Sequence, residues 1–238
     1  MRTLLDFITL TKGIEYLIAV AFLTSFVLFW HLAVTPARPA RSRVKERIGE
    51  LARNLGEMVG GFLVPEKVYF HPGHAWTKVE WGDLLSLGID DFGQKLLGPI
   101  NAIQTPEVGS RVKQGERAWT LQVNGQSIDM LSPVDGEIIA VNEDVLQSPE
   151  EINKDPFGKG WVMAVRNPDK LLNLKELLSG IQARKWIEEA RTRLMAITNQ
   201  NLGTVLADAG PLRDGIARTL DSERWVEIVK SHFLTADE

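Results

Sequence analysis

Leu121–Gly136, LQVNGQSIDMLSPVDG, is the stretch on which the reading of this chain turns. Apolar positions alternate on either side of Asn124-Gly125, a pair favoured in type I′ hairpin turns because both central residues there need positive φ. Two short strands are predicted around a tight tip, with Ser132–Gly136 turning the chain afterwards. Working outward, turn signals recur at Pro106–Gly109, Gln114-Gly115 and Asp135-Gly136. Trp76–Glu80 alternates, and Trp81-Gly82-Asp83 turns into Leu84–Ile89. Many short strands at that spacing imply a sandwich or barrel from about Lys67 to Val165. A helix is expected at Asp90–Leu97, ended by Gly98-Pro99. A second is expected near Ser148–Asn153, with Ser148 as N-cap and Pro149 in the first helical position.

On the C-terminal side, Leu174, Leu177, Leu178 and Ile181 make one helical stripe, and Ile187, Ala190, Leu194 and Ile197 make another. A last helix over Ser222–Phe233 would share one face among Trp225, Ile228, Val229 and Phe233. On the N-terminal side, Arg41–Val64 places Val44, Ile48, Leu51, Leu55, Met58 and Val59 at helical spacing. That predicts an amphipathic connector stopped by Gly60-Gly61.

Ahead of the connector lies Tyr16–Val34, YLIAVAFLTSFVLFWHLAV, 19 residues without a formal charge, proline or glycine. At ~1.5 Å per residue a helix of that length approaches the ~30 Å hydrocarbon core of a bilayer. Tyr16 and Trp30 lie near its ends, where aromatic side chains favour the interface. The stretch is longer than a signal-peptide apolar region and is followed by no small-residue cleavage pattern. A single membrane-spanning helix ended by Pro36 and Pro39 is expected. Arg38, Arg41, Arg43, Lys45 and Arg47 follow it, against Arg2 and Lys12 before it. By the positive-inside rule the chain is single-pass in the cytoplasmic (inner) membrane, with its C-terminal bulk in the cytoplasm. His31, in the last turn of that stretch, is a candidate haem ligand, a polar contact to a neighbouring helix, or an interfacial side chain.

Composition excludes several functions. A net charge of −4 gives no domain-wide basic surface, so no nucleic-acid partner is expected. With no cysteine, disulfides, thiolate metal sites and iron–sulfur ligation are out. His71 and His74 (HPGH) are spaced like a metal pair, but Pro72-Gly73 break any helix between them and no third ligand is near. Asp90-Asp91 and Glu150-Glu151 read as surface or capping carboxylates. No Ser/His/Asp set, phosphate loop or zincin motif is present. The expectation is a protein that is not an enzyme, with no metal, no cofactor and no small-molecule substrate.

The region from about Lys67 to Ala190 resembles the H protein of the glycine cleavage system. The matching residues are His74-Ala75-Trp76, Gly88–Phe92, Leu97-Gly98, Pro106–Gly109, Ser132–Gly136, Val141-Asn142, Ser148–Glu150, Asn153 and Asp155–Trp161. The resemblance implies an α+β chain built on a barrel-sandwich hybrid of the lipoyl/biotinyl type. In that fold Trp76 and Trp161 would fill core or sheet-edge positions, and Phe157-Gly158 would pin a loop. It also implies a non-catalytic carrier whose chemistry rests on one lipoylated lysine on the hairpin before the Ser-Pro-Val turn. Counted back from Ser132, that position falls on Gly125, and the family's acidic residue falls on Gln122. Lys113 and Lys154 are the nearest lysines in sequence, and neither lies in such a hairpin.

The chain thus divides into an arm and membrane helix (1–35), a basic, amphipathic connector (36–65), the H-protein-like domain with its C-terminal helices (66–198) and a helical tail (199–238). The expected role is a non-lipoylated docking or scaffolding subunit of a membrane assembly, its partners the lipid bilayer and the subunits of a respiratory or redox complex. The alternatives are a membrane-tethered carrier modified at an unconventional lysine, and a membrane-fusion adaptor of an efflux system.

Overall fold

The computed structural model of the chain describes residues 15–27, 29–30, 56–201 and 214–235. Contacts divide the chain into two units, Met1–Ala52 and Arg53–Glu238. In the first unit residues 15–27 and 29–30 are helical, and their large apolar side chains, from Tyr16 to Trp30, are exposed. Thr24 returns its hydroxyl to the carbonyls of Val20 and Ala21, so it leaves no free donor on the helix. Among the described residues no helix is long and apolar enough to cross a membrane. Tyr16–Val34 is covered only in part, and His31, the basic cluster Arg38–Arg47 and the connector up to Leu55 lie outside the described residues.

The second unit opens differently from the expected helix. β1 (Gly56–Val59) and β2 (Phe62–Pro65) pair antiparallel with Val59 opposite Phe62. Gly60 and Gly61, at φ 57° and 95°, form the turn of a hairpin instead of ending a helix. Two consecutive positive-φ residues suit a hairpin turn, and the strand period then carries Phe62 and Val64 inward. Phe62 meets Phe92 at 4.7 Å between ring centroids.

The chain continues through β3 (Tyr69–Phe70), β4 (Ala75–Trp81), β5 (Leu84–Ile89), α1 (Asp91–Leu97), β6 (Ala102–Gln104), β7 (Arg111–Val112), β8 (Arg117–Val123), β9 (Gln126–Leu131) and β10 (Gly136–Val141). It then forms α2 (Glu143–Gln147), α3 (Glu151–Lys154), β11 (Met163–Arg166), α4 (Lys170–Leu174), α5 (Gly180–Asn201), α6 (Ile216–Leu220) and α7 (Trp225–Phe233). One antiparallel sheet runs β3-β4-β5-β11-β10-β7, and a smaller one runs β6-β8-β9. Leu85, Leu87, Val165, Leu121, Ile128 and Ile138 are fully buried within one core. Trp76 is buried there too, its Nε1 donating to the carbonyls of Ile89 (2.9 Å) and Pro156 (3.1 Å). Phe157 packs beside it, 5.7 Å between ring centroids, and so ties its loop to the body.

Several local expectations shift. Ser148 closes α2 as its C-cap, while α3 starts after Glu150. The stripe Leu174–Ile181 is two elements. Leu174 and Leu177 are buried, Leu178 bridges to Phe70, and Ile181 opens α5 exposed. Ile187, Ala190 and Leu194 are buried as expected. So are Trp225, Ile228, Val229 and Phe233 on α7. Each such burial contributes ~1.5–3 kcal/mol, which a helix of nine residues needs because it is too short to persist undocked.

Candidate functional site

The β8–β9 hairpin builds the candidate site. β8 buries Trp119, Leu121 and Val123 and leaves Thr120 and Gln122 half-exposed, while β9 buries Ile128 and Met130. With one face in the core the register is fixed, since a one-residue slip would turn every buried side chain to solvent. Val123 stands opposite Gln126, leaving a two-residue turn. Asn124 has φ 50° and Gly125 φ 77°, the type I′ geometry its sequence predicts. The Asn124 N–H donates to Asn101 Oδ1 at 2.8 Å, and the Asn101 N–H donates to the Gln122 carbonyl. The tip is therefore held from the β6 side.

Below it, Gln122 Nε2 donates to Ser127 Oγ at 2.9 Å and Thr120 Oγ1 to Asp129 Oδ1 at 2.8 Å. A Cβ placed on Gly125 would meet no atom within 4 Å. Position 125 thus displays whatever it carries to solvent, and it carries only hydrogen. From Gln122 to Ser127 there is no amine, thiol or carboxylate.

The two lysines considered as substitutes lie elsewhere. Lys113 sits in the turn that bonds to Ser132 at the open end of the hairpin, ~20 Å from the tip at ~3.3 Å per strand residue. Its ammonium is 3.6 Å from Glu116. Lys154 ends α3 and pairs with Glu151 at 2.7 Å, which holds the lysine above and the carboxyl below their ordinary pKa values. A polar groove of about 410 Å³ opens nearby, lined by Asp144, Ser148, Glu151, Lys159 and Trp161 among others.

The histidines form no ligand pair. His71 Nδ1 accepts from the Gly73 N–H at 3.0 Å. His74 is buried, its Nδ1 donating to Asp90 Oδ2 at 2.9 Å. Its ring lies between Phe92 (4.4 Å) and Trp186 (4.6 Å). His74 also holds φ 60°, a left-handed value kept by its N–H on the His71 carbonyl and its own carbonyl on the Asp90 N–H. Asp90 accepts in addition from Gly93 N–H at 2.7 Å as the N-cap of α1. Asp91 is likewise buried, taken by the Leu63 N–H and Lys95. Asp90 caps, as expected, Asp91 instead ties α1 to Leu63 and Lys95, and both lie inside the fold and not on its surface. Among the described residues no group of three or more His, Asp or Glu is arranged for a metal.

Against the same cluster lies His232 of α7, its ring 5.7 Å from Phe92 and 6.4 Å from His74. Burial first, then the proximity of His74 and Arg193, lowers its pKa to about 4. Burial and His74 also lower that of His71. No local pattern announces this grouping. The only sequence signal was the apolar face of α7, which required something to bury it.

An antiparallel sandwich whose smaller sheet ends in a projecting two-residue hairpin is a domain of the H-protein type. The chain belongs to the glycine cleavage H-protein family, which matches residues 68–190, just over half of it. It is 36% identical over 118 residues to the glycine cleavage system H protein of Acinetobacter baumannii, covering 50% of this chain and 94% of that one. The corresponding protein of Carboxydothermus hydrogenoformans is 37% identical over 127 residues, 53% of this chain and 96% of that one. The crystal structure of a glycine cleavage system H protein from Mycobacterium marinum is 24% identical with a TM-score of 0.44, over 53% of this chain and 98% of that one.

Proposed function

We propose that this chain is a docking subunit, an H-protein domain without a lipoyl arm, tethered to the cytoplasmic face of the membrane as a fixed part of a larger assembly. The observation that carries the reading is Gly125. The position to which the family resemblance assigns the lipoyl lysine stands at an open hairpin tip and has no amine to acylate. Gln122, where the family has an acidic residue, is spent on Ser127. A shape kept without its reactive group serves contacts, and the family's own part is that of a non-catalytic protein that works by docking to others.

The tether rests on the uncharged run Tyr16–Val34 and on the exposed apolar side chains of its described helical part. Its orientation rests on the five cations from Arg38 to Arg47. Subunits of a respiratory or redox complex are the proposed partners.

Intact mass of the protein purified from its native source tests the missing arm, and an added lipoyl group on any lysine overturns it. Alkaline carbonate washing of native membranes tests the tether: the chain is expected in the pellet, and its release into the wash removes the anchor. Mild-detergent extraction should recover it with other subunits. A monodisperse, solitary chain would sink the docking role.

A further inference from the structure

Residues 214–235 lie beyond the region matched by the family, yet they are packed onto it. The Gly215 N–H donates to the Lys95 carbonyl at 2.8 Å, and a Cβ on Gly98 would strike the Gly215 backbone. α6 and α7 both lie against α1, and α7 also lies along β9. In the order β6-β8-β9, β9 is an edge strand of the hairpin sheet. Such an edge offers unpaired backbone groups to any incoming strand, and a covering helix removes that option. At its far end Phe233 is buried, its ring centroid 5.9 Å from that of His74, and its carbonyl oxygen would lie 2.8 Å from a Cβ on Gly73. The segment is a strap packed against β9 of the hairpin, α1 and the His71–His74 loop.

Three buried side-chain polar atoms of this strap have no hydrogen-bond partner, Arg218 Nε, His232 Nε2 and Thr235 Oγ1, and of these groups only the histidine changes charge near neutral pH. His232 Nδ1 lies 2.8 Å from the Ile228 carbonyl, which can only accept, so Nδ1 carries the hydrogen. Nε2 is buried without a hydrogen-bond partner. A second proton there would place a cation beside His74, whose Nδ1 is committed to Asp90, and near Arg193 of α5. Among the charges on the packed elements, Asp90 is engaged by His74 and the Gly93 N–H, and Glu188 of α5 is paired with Arg191. Asp91 and Lys95 of α1 are paired, Asp129 of β9 holds Thr120 and Arg117, and Arg218 of α6 lies over Trp225.

We propose that α6 and α7 form a releasable strap, and that protonation of His232 releases it from α1 and β9. This inference goes beyond the proposed role as a docking subunit and does not depend on the arm or the anchor.

The sign follows from linkage. A histidine whose pKa is lowered in the docked state stabilises docking above its ordinary value of 6.5, and that contribution is lost as pH falls from 6.5 toward about 4. At pH 5 the docking constant should be lower by roughly thirtyfold than at pH 8. Hydrogen–deuterium exchange of the full chain, read as protection factors from pH 7.5 to 5, tests this. Protection of α6, α7 and β9 should fall together by ten- to thirtyfold, while β4, β5 and β11 keep theirs. In His232→Phe, which preserves a ring against Phe92, strap protection should stay level with pH. If the phenylalanine variant is undocked already at pH 7.5, His232→Leu is read in its place by the same criterion. An unchanged strap in the wild type at pH 5 overturns the proposal. So does an equal loss in the His232 variant, or a loss that persists there and vanishes in His71→Gln.

Discussion

Two of the tight hairpins of this domain, β1–β2 and β8–β9, turn on the same geometry and end in opposite surroundings. Gly60 and Gly61 sit at φ 57° and 95°, Asn124 and Gly125 at 50° and 77°. A Cβ on Gly60 would run into the side chains of Arg191 and Glu188 on α5, whereas a Cβ on Gly125 would touch nothing. The first glycine answers to backbone conformation and to a neighbour. The second answers to conformation alone. One turn closes a structure and the other is a display position, which is why its empty state bears on function.

That contrast can be broken by substitution. Gly60→Val should cost the most, about 3 kcal/mol, since a β-branched residue at positive φ must also push aside Arg191, itself paired with Glu188 at 2.8 Å. Chemical denaturation would read it as a lower midpoint with an unchanged slope. Gly125→Val carries only the conformational penalty and should cost about 1–2 kcal/mol. If both valines cost the same, the packing against α5 contributes nothing and the comparison fails.

Gly125→Lys should cost about 1 kcal/mol and leave the near-ultraviolet dichroism unchanged, because the lysine is straight-chained and the space is open. Its ammonium should react with amine-directed acylating reagents as fast as the most exposed lysines, and a slow reaction would mean that the tip is not on display. Asn101→Ala is the smallest of the series. It removes the acceptor of the Asn124 N–H and should cost roughly 0.5–1 kcal/mol, with faster exchange confined to the tip. Loosening that spread to β4 or β5 would show the tip coupled to the larger sheet after all.

How much was legible beforehand follows the range of the interactions. The strands β4, β5, β8 and β9, α1 with its Asp90 cap, and the Asn124-Gly125 turn were readable because each depends on residues a few places apart. The β1–β2 hairpin was not. Val59 and Met58 also fit a helical stripe, and only the docking of Phe62 on Phe92 decides for the strand period. The interior place of Asp90 and Asp91 was missed for a similar reason: their partners His74 and Leu63 lie 16 and 28 residues away. His232 was less legible still, since nothing near it in sequence says which surface α7 will cover.

By itself the sequence determined the φ demands of the hairpin tip, the lack of an amine at position 125 and the uncharged run from Tyr16 to Val34. These are local properties of residue type, and no packing can alter them. Tertiary structure alone decided that Gly60 is covered and Gly125 open, that His74 is buried on Asp90, and that α7 packs against β9. Burial is a property of what arrives from elsewhere in the chain, and the charge a histidine can carry follows from that burial.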